Sequence, residues 1–319
     1  MGLRVVFMGT PEFAVPSLQL LHESRHQVVA VVTVPDKPAG RGMKVQFSPV
    51  KIYALEHQLP LFQPEKLKDK DFLAALSALK ADLFVVVAFR MLPAEVWQMP
   101  PKGTVNLHAS LLPQYRGAAP INWAIINGEK ETGVTTFFIE HNIDTGKILL
   151  SEKVEIGADE TAGELHDRLK IIGARLLLKT VDAIEEGTVQ PVAQNSLINH
   201  VSLKTAPKIF KDTCRINWDK HPIEVHNLIR GLSPVPGAFS YLVKENQKLL
   251  TKIFQVRPCA ESHTLPVGTV VSDGKTYLRV AVQDGFVEIL SLQLEGKKKL
   301  PTLEFLKGFK NIEDYHFES

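Results

Sequence analysis

Two polar side chains share one face of a short apolar strand. In TVNLHASLLPQYRG, which begins at Thr104, Asn106 and His108 are two residues apart. The two-residue period of a β-strand turns both toward the same side. A third polar residue, Asp144, follows the next predicted strand in FFIEHNIDTGKI. Ligands of open α/β sheets bind beyond the carboxyl ends of the strands, so the three side chains are expected to share one crevice.

An amide, an imidazole and a carboxylate favour direct group transfer over a covalent intermediate. Ser110 lies near them but lacks the strand-to-helix elbow of a nucleophile. The Asn106 amide can stabilise an oxyanion, and losing one such donor typically costs ~10²–10³ in rate. A neutral His108 can accept a proton, which is worth about 10²–10⁴ in rate. Asp144 can orient that imidazole and raise its basicity. The set therefore predicts attack of an amine on a carbonyl.

The elements around these residues alternate between strands and helices. The runs LRVVFM, QVVAVVT and DLFVVVA are separated by the helical stretches FAVPSLQLLHES and DKDFLAALSALK. This order predicts a Rossmann-like, mostly parallel sheet covered on both faces. A helix from about Thr161 to Glu186, with a capping box at Thr161 and Glu164, is expected to close the unit. We therefore predict a catalytic domain over residues 1–187.

The remaining chain has a different pattern of apolar and turn-forming residues. Residues 188–207 lack periodicity and are predicted to be a linker. Residues 208–319 contain short strands between turns such as SDGK and QDG, which indicates a small OB-like β-barrel. The whole chain has a net charge of +2, whereas residues 201–319 hold 17 Lys and Arg against 13 Asp and Glu. This mildly basic segment suggests a polyanionic partner.

Other classes of protein fit the sequence poorly. No apolar run reaches the ~18 residues that span a bilayer, and the N-terminus lacks the pattern of a signal peptide, so a cytoplasmic location is expected. The first turn, GTPEFAVP, has one glycine where a dinucleotide site needs three. His22 and His26 lack a third ligand and are expected on a solvated surface, while Cys214 and Cys259 are expected to be packing residues. We thus expect neither a nicotinamide cofactor nor a metal.

Several longer motifs resemble one enzyme family. NLHASLLPQYRGAAPINWAI with DTG downstream is similar to the 10-formyltetrahydrofolate-dependent formyltransferases. VVFMGTPEFAVPSL, ETGVTTFFIEHNIDTGKIL and ETAGELHDRL resemble the catalytic domain of that family. PKIFKDTCRINWDKHPIEVHNLIRGLSPVPGAFSYL resembles its C-terminal OB-like domain. The resemblance extends over nearly the whole chain.

The resemblance implies a donor, an acceptor and residue roles. The formyl group of 10-formyltetrahydrofolate would pass to the α-amino group of methionine on initiator tRNA. Asn106 would polarise the formyl carbonyl, His108 would take up the amine proton, and Asp144 would set the protonation of His108. Ser110, Leu111, Leu112 and Pro113 (SLLP) would line the folate site. VVVAFRMLP stands where the family often has Ala-Tyr-Gly in a longer loop, and Arg90 and Leu92 are assigned to that pteridine pocket.

The segment PDKPAGRGMKVQFSPVK, residues 35–51, is long for a connection between a strand and a helix. Its composition alone is compatible with a mobile surface loop. The resemblance implies that it contacts the acceptor end of the tRNA, with Lys37, Arg41 and Lys44 as contacts. The basic C-terminal segment would then contact phosphates, and a monomer is expected.

Three alternatives remain open at this point. A formyltransferase acting on an amino sugar nucleotide would share the site but would not need the basic loop. A hydrolase that releases formate from the same folate would have to admit water where the amine binds. A non-catalytic tRNA-binding protein would have no need for Asn106, His108 and Asp144 together.

Overall fold

The computed structural model describes residues 2–39, 44–198 and 202–318. They form two compact units that are not continuous in sequence. The first comprises residues 1–117, 132–154 and 166–205, and the second comprises residues 118–131, 155–165 and 206–319. The domain boundaries at residues 187 and 208 stay a prediction. Among the described residues, no helix is long and apolar enough to cross a membrane.

The strands are β1 Arg4–Gly9, β2 Gln27–Val32, β3 Lys37–Ala39, β4 Lys44–Gln46, β5 Leu61–Phe62, β6 Leu83–Val87, β7 Thr104–His108, β8 Arg116–Gly117, β9 Glu131–Phe138, β10 Ile148–Glu155, β11 Thr205–Ala206, β12 Ala238–Lys244, β13 Gln247–Cys259, β14 Val270–Ser272, β15 Leu278–Val282, β16 Gly285–Leu294, β17 Leu300–Pro301 and β18 His316–Phe317. The α-helices are α1 Val15–His22, α2 Pro49–Glu56, α3 Lys70–Ala78, α4 Ala94–Trp97, α5 Pro120–Ile126, α6 Ala162–Glu186, α7 Pro222–Gly231 and α8 Thr302–Gly308.

The first unit is built on a seven-stranded sheet with the order β10-β9-β7-β6-β1-β2-β5. The pairs β1–β2, β1–β6, β2–β5 and β6–β7 are parallel, whereas β9 is antiparallel to β7. The five residues of β6 are all buried, as are Val5–Gly9 of β1. Strands of a parallel sheet are buried on both faces, which explains why they read as continuous apolar runs. The predicted α/β fold is confirmed.

The second unit contains an antiparallel barrel with the strand order β14-β15-β16-β13-β12-β18, and β17 pairs with β16. A bridge between Thr269 and His316 joins the two ends of this order and nearly closes the barrel. Trp218 is fully buried in its core and donates from Nε1 to Ser240 Oγ at 3.0 Å. The predicted small barrel is confirmed, and the SDGK turn is the predicted hairpin, with Gly274 at φ +69° between β14 and β15.

The start of α6 shows the predicted capping box. Thr161 N donates to Glu164 Oε2 at 2.8 Å, and Glu164 N donates to Thr161 Oγ1 at 3.3 Å. Each bond satisfies a main-chain donor that has no partner within the first turn of a helix. Gly187, at φ +69°, follows the last helical residue. The helix end is therefore set by a residue that adopts a left-handed conformation without a Cβ penalty.

Candidate active site

His108 ends β7 and is held by a main-chain carbonyl of the following loop. The side chain is buried, and its Nε2 lies 2.9 Å from Tyr115 O. A carbonyl oxygen only accepts hydrogen bonds, so Nε2 carries a hydrogen. In the neutral imidazole, Nδ1 then holds the lone pair. Tyr115 is buried at φ +59°, and its own N–H donates to Lys204 O at 2.7 Å. The contacts of Tyr115 therefore determine which nitrogen of His108 can accept a proton.

Asp144 faces the other nitrogen of His108. Its Oδ2 lies 3.8 Å from His108 Nδ1 and accepts a hydrogen bond from Gly117 N at 3.0 Å. A distance of 3.8 Å is too long for a hydrogen bond but short enough for a carboxylate to stabilise an imidazolium. Asp144 has φ +53°, in the left-handed region that Asp tolerates better than most residues. The carboxylate is thus aimed at His108 from a constrained loop.

The route by which Asp144 reaches His108 differs from the predicted one. Prediction relied on the carboxyl ends of neighbouring parallel strands. However, β9 is antiparallel to β7, with Phe138 paired to Val105 and Thr135 paired to His108. The end of β9 therefore lies beside the start of β7. The connection after β9, rather than the strand end itself, carries Asp144 to the imidazole.

Asn106 occupies the same face of β7, two residues before His108. It is half-buried and lies opposite Val86 of β6 and Phe137 of β9. Within the described part of the chain, its side-chain amide has no hydrogen-bond partner. An amide that is half-buried and unpaired retains its donors for a ligand. Its assignment as a catalytic residue, like those of His108 and Asp144, stays a prediction.

The segment Ser110–Pro113 is fastened to the sheet by one hydroxyl. Thr135 Oγ1, on β9, accepts from Leu112 N at 3.2 Å and donates to Ser110 O at 2.7 Å. Ser110 is fully buried and donates its own hydroxyl hydrogen to Gln114 O at 2.7 Å. Leu112 is buried, while Leu111 and Pro113 are partly exposed. The predicted folate loop is therefore a defined turn with two partly exposed apolar side chains.

Arg90 and Leu92 line a cavity of about 610 Å³ in the first unit, together with Met91, Trp97 and His141. Leu92 is buried, and the Arg90 guanidinium donates to Glu65 O at 2.9 Å and to Pro64 O. Burial lowers the pKa of Arg90 from its usual value. Because main-chain carbonyls already bind this guanidinium, Arg90 forms part of the cavity wall and does not direct its charge into the cavity.

The predicted tRNA contacts lie in a segment that the structure describes only in part. Lys37 and Lys44 belong to the hairpin of β3 and β4, and Arg41 lies outside the described residues. The two ends of the segment meet where the buried Lys51 forms a salt bridge with Asp36. The Lys51 ammonium also lies 4.0 Å from the centre of the Phe47 ring. Lys51 therefore anchors the base of the loop.

One buried residue beside the site was not anticipated from the sequence. Gln194 falls within the predicted linker, yet it is 2% exposed and its amide contacts both Arg116 and the Asp144 loop. A glutamine in an aperiodic stretch gives no pattern that would indicate burial. It lies two residues after the bridge between Val192 and Ile148, which holds this part of the segment beside β10.

The expected solvated position of His26 is wrong. His26 is 4% exposed, and its Nδ1 accepts from Leu3 N at 3.0 Å. Nε2 therefore carries the hydrogen and lies 3.1 Å from Asp182 Oδ1. With Glu185, these side chains are close enough to hold a cation, but Arg25 already pairs with both carboxylates. The cluster is accounted for by these internal bonds.

The fold and the site define a two-domain protein, in which an α/β unit with an Asn-His-Asp set is combined with an antiparallel barrel. The chain belongs to the formyl transferase family: the formyl transferase model matches residues 3–181, and the model of the formyl transferase C-terminal domain matches residues 208–310. The resemblance inferred from the sequence motifs is confirmed, as is the prediction of a formyltransferase.

Relatives cover both units of the chain. A methionyl-tRNA formyltransferase of Bacteroides thetaiotaomicron is 58% identical over 314 residues, 98% of this chain and 98% of the relative. That of Flavobacterium johnsoniae is 51% identical over 306 residues, 96% of each chain.

Solved structures share the fold at lower identity. An N-formyltransferase of Helicobacter canadensis in complex with folinic acid and dTDP-3-aminofucose has a TM-score of 0.64 and 22% identity, covering 93% of this chain and all of its own. HypX of Aquifex aeolicus in complex with tetrahydrofolic acid has a TM-score of 0.63 and 19% identity, covering 98% of this chain and 48% of its own. At these identities, the likeness shows the fold alone.

Proposed function

We propose that this protein transfers the formyl group of 10-formyltetrahydrofolate to the α-amino group of methionine on initiator tRNA. The observation that carries this proposal is the 58% identity, over 98% of both chains, to a relative named methionyl-tRNA formyltransferase. The matching residues span the α/β unit and the barrel together.

In the proposed reaction, the amine attacks the formyl carbon directly. Its nitrogen forms a bond to that carbon while the carbonyl π electrons move to oxygen. Asn106 would donate its unpaired amide hydrogens to this oxyanion, a contact that strengthens as charge develops. When the tetrahedral intermediate collapses, the bond from carbon to N10 of the folate breaks, and N10 takes up a proton. The products are formylmethionyl-tRNA and tetrahydrofolate.

His108 would accept the proton that the amine loses. With Nε2–H bonded to Tyr115 O, the available lone pair is on Nδ1. Protonation at Nδ1 creates an imidazolium whose two N–H groups face the Tyr115 carbonyl and the Asp144 carboxylate, the latter 3.8 Å away. The imidazolium is thus stabilised on both sides. The same nitrogen can return the proton to N10, directly or through a water molecule.

The donor would lie against Ser110–Pro113 and in the cavity lined by Arg90 and Leu92. Ser110 and Leu112 hold the main chain in place, so Leu111 and Pro113 would supply apolar contacts to the folate. The placement of the donor rests on this anchored loop and on the family resemblance. From the resemblance and the sequence pattern we further propose that the enzyme acts as a cytoplasmic monomer and requires neither a metal nor a nicotinamide.

The acceptor tRNA would contact the 35–51 loop through Lys37, Arg41 and Lys44. The base of that loop is fastened by the salt bridge between Lys51 and Asp36, which would hold the two ends of the segment together when the tRNA binds. The net positive charge of residues 201–319 would add phosphate contacts. Contacts of this kind release counterions, so binding should weaken steadily as salt rises.

The test is a formyl-transfer assay with 10-formyltetrahydrofolate and either methionyl initiator tRNA or an amino sugar nucleotide. We expect turnover only with the tRNA. Asn106→Ala and His108→Ala should each lower kcat at least ~10²-fold with little change in tRNA binding, because both act in the transition state. Arg41→Ala should raise KM for the tRNA and leave folate binding unchanged. Transfer to the sugar nucleotide instead of the tRNA would contradict the proposal.

A further inference from the structure

Gln194 uses the whole hydrogen-bonding capacity of its side chain to join two loops of the candidate site. Nε2 donates to Asp144 O at 2.9 Å and to Gly146 O at 2.8 Å. Oε1 accepts from Arg116 Nε at 3.0 Å and from Arg116 Nη2 at 2.6 Å. A guanidinium only donates and a carbonyl only accepts, so the orientation of this amide is fixed by its partners.

The two loops that Gln194 joins are those that hold the catalytic pair. Arg116 stands between Tyr115, whose carbonyl accepts from His108, and Gly117, whose N–H donates to Asp144. One three-residue segment therefore contacts both members of the pair. The bonds of Gln194 to Arg116 on one side and to the Asp144 loop on the other set the spacing between segment 115–117 and that loop.

Both loops adopt backbone conformations that need such support. Asp144 and Tyr115 have φ +53° and +59°, and Gly117 has φ +126°. Left-handed backbone costs most residues roughly 1–2 kcal/mol, and Asp less than most, so the conformation of Tyr115 in particular persists only where surrounding contacts enforce it. Two of the enforcing contacts at the Asp144 loop come from the Gln194 amide.

We propose that Gln194 is a positioning residue for formyl transfer, which holds the Asp144 carboxylate against His108 Nδ1 without touching a substrate. This inference rests on the proposed function, because it assumes that the Asp144–His108 pair performs the transfer. Gln194 acts on the rate through the 3.8 Å separation of Asp144 Oδ2 and His108 Nδ1. A misplacement of about 1 Å in a catalytic group can cost ~10²-fold in rate.

The test uses two replacements of similar shape in the full chain. Gln194→Met removes all four hydrogen bonds. Gln194→Glu keeps the acceptor for Arg116 but turns an oxygen toward the carbonyls of Asp144 and Gly146. We expect both to lower kcat by about 10–10²-fold, with KM for folate and tRNA changed less than threefold. Asn195→Ala, at the exposed neighbour, is the matched control and should leave kcat unchanged.

A double-mutant cycle with Asp144→Asn separates positioning from general destabilisation. If Gln194 acts through Asp144, then Gln194→Met should lower kcat far less in the Asp144→Asn background than in the wild type. An equal loss in both backgrounds would overturn the proposal. So would a Gln194→Glu variant with wild-type kcat.

A second measurement does not depend on the reaction. The side-chain ¹⁵N shifts of His108 report which nitrogen carries the hydrogen, and we expect Nε2–H in the wild type and a mixed population in Gln194→Met. An unchanged tautomer with an unchanged rate would count against Gln194. Absence of transfer by the wild type would instead contradict the proposed function, while the tautomer would still test the positioning of His108.

Discussion

The hydroxyl of Thr135 offers the sharpest test of the proposed folate-binding segment Ser110–Pro113, because it joins that segment to β9 through two main-chain groups. We expect Thr135→Val, which replaces the hydroxyl by a methyl group, to weaken folate binding. Thr135 is fully buried, so neither Leu112 N nor Ser110 O gains water in its place without movement. Each buried group left without a partner costs about 1–3 kcal/mol.

The expected loss of folate affinity depends on how the loop responds to the two unpartnered groups. If it moves to expose the two groups to water, folate binding must first restore the original conformation. Restoring it would leave both groups without partners again, at about 1–3 kcal/mol each, and even one such penalty corresponds to roughly 5–150-fold weaker binding. Isothermal titration with 5-formyltetrahydrofolate measures the affinity, and urea denaturation measures the free energy of unfolding.

The adjacent residue provides a matched control. Thr136 is also fully buried on β9, but its hydroxyl accepts from Leu150 N at 3.2 Å and lies 2.8 Å from Thr180 Oγ1. Successive residues of a strand face opposite sides of a sheet, so this hydroxyl is directed away from Ser110–Pro113. Thr136→Val should lower stability similarly and leave folate affinity unchanged. Equal folate affinities for Thr135→Val, Thr136→Val and the wild type would refute our reasoning.

Two further predictions concern groups outside the catalytic pair. Burial raises the pKa of the Cys214 thiol, whereas Cys259 is partly exposed. At pH 8, a thiol reagent should therefore label Cys259 first. Mass spectrometry detects the labelled residue, and labelling of Cys214 before Cys259 would contradict this prediction. Hydrogen bonds from Lys51 and Gln63 lower the pKa of Asp36 below its ordinary 3.8. The stability difference between wild type and Asp36→Asn should therefore be complete above about pH 4 and shrink as pH falls through the lowered pKa, as measured by urea denaturation.

Much of the site could be predicted because it depends on local periodicity. Asn106 and His108 share a face as a consequence of the two-residue period, and any strand over this segment would place them so. The break at Ser110–Pro113 follows from the proline after a short apolar run. The alternation of strands and helices in the sequence likewise indicates the α/β sheet.

The approach of Asp144 could not be predicted on the same grounds. Nothing in ETGVTTFF distinguishes a parallel strand from an antiparallel one, and β9 turned out to be antiparallel. The contact with His108 depends on the conformation of the connection after β9. That conformation is determined by Gly117 N and Gln194, which are distant in sequence. Main-chain donors and acceptors are the same for nearly every residue type, so contacts with them cannot be recognised as a sequence motif.

The bonds of Gln194 also indicate that residues 188–207 are more than a linker. A passive linker tolerates added length anywhere, whereas a segment that braces a site does not. Val192 pairs with Ile148 through two 2.8 Å hydrogen bonds, and this bridge lies between Gln194 and Glu186, the last residue of α6. We therefore expect a Gly-Ser-Gly-Ser insertion after Gly187 to preserve kcat. The same insertion after Ala193 should lower it by about 10–10²-fold, because it separates Gln194 from the Val192–Ile148 bridge and its amide can no longer hold both loops in place. Equal turnover of the two insertion variants would indicate that the segment only connects the units.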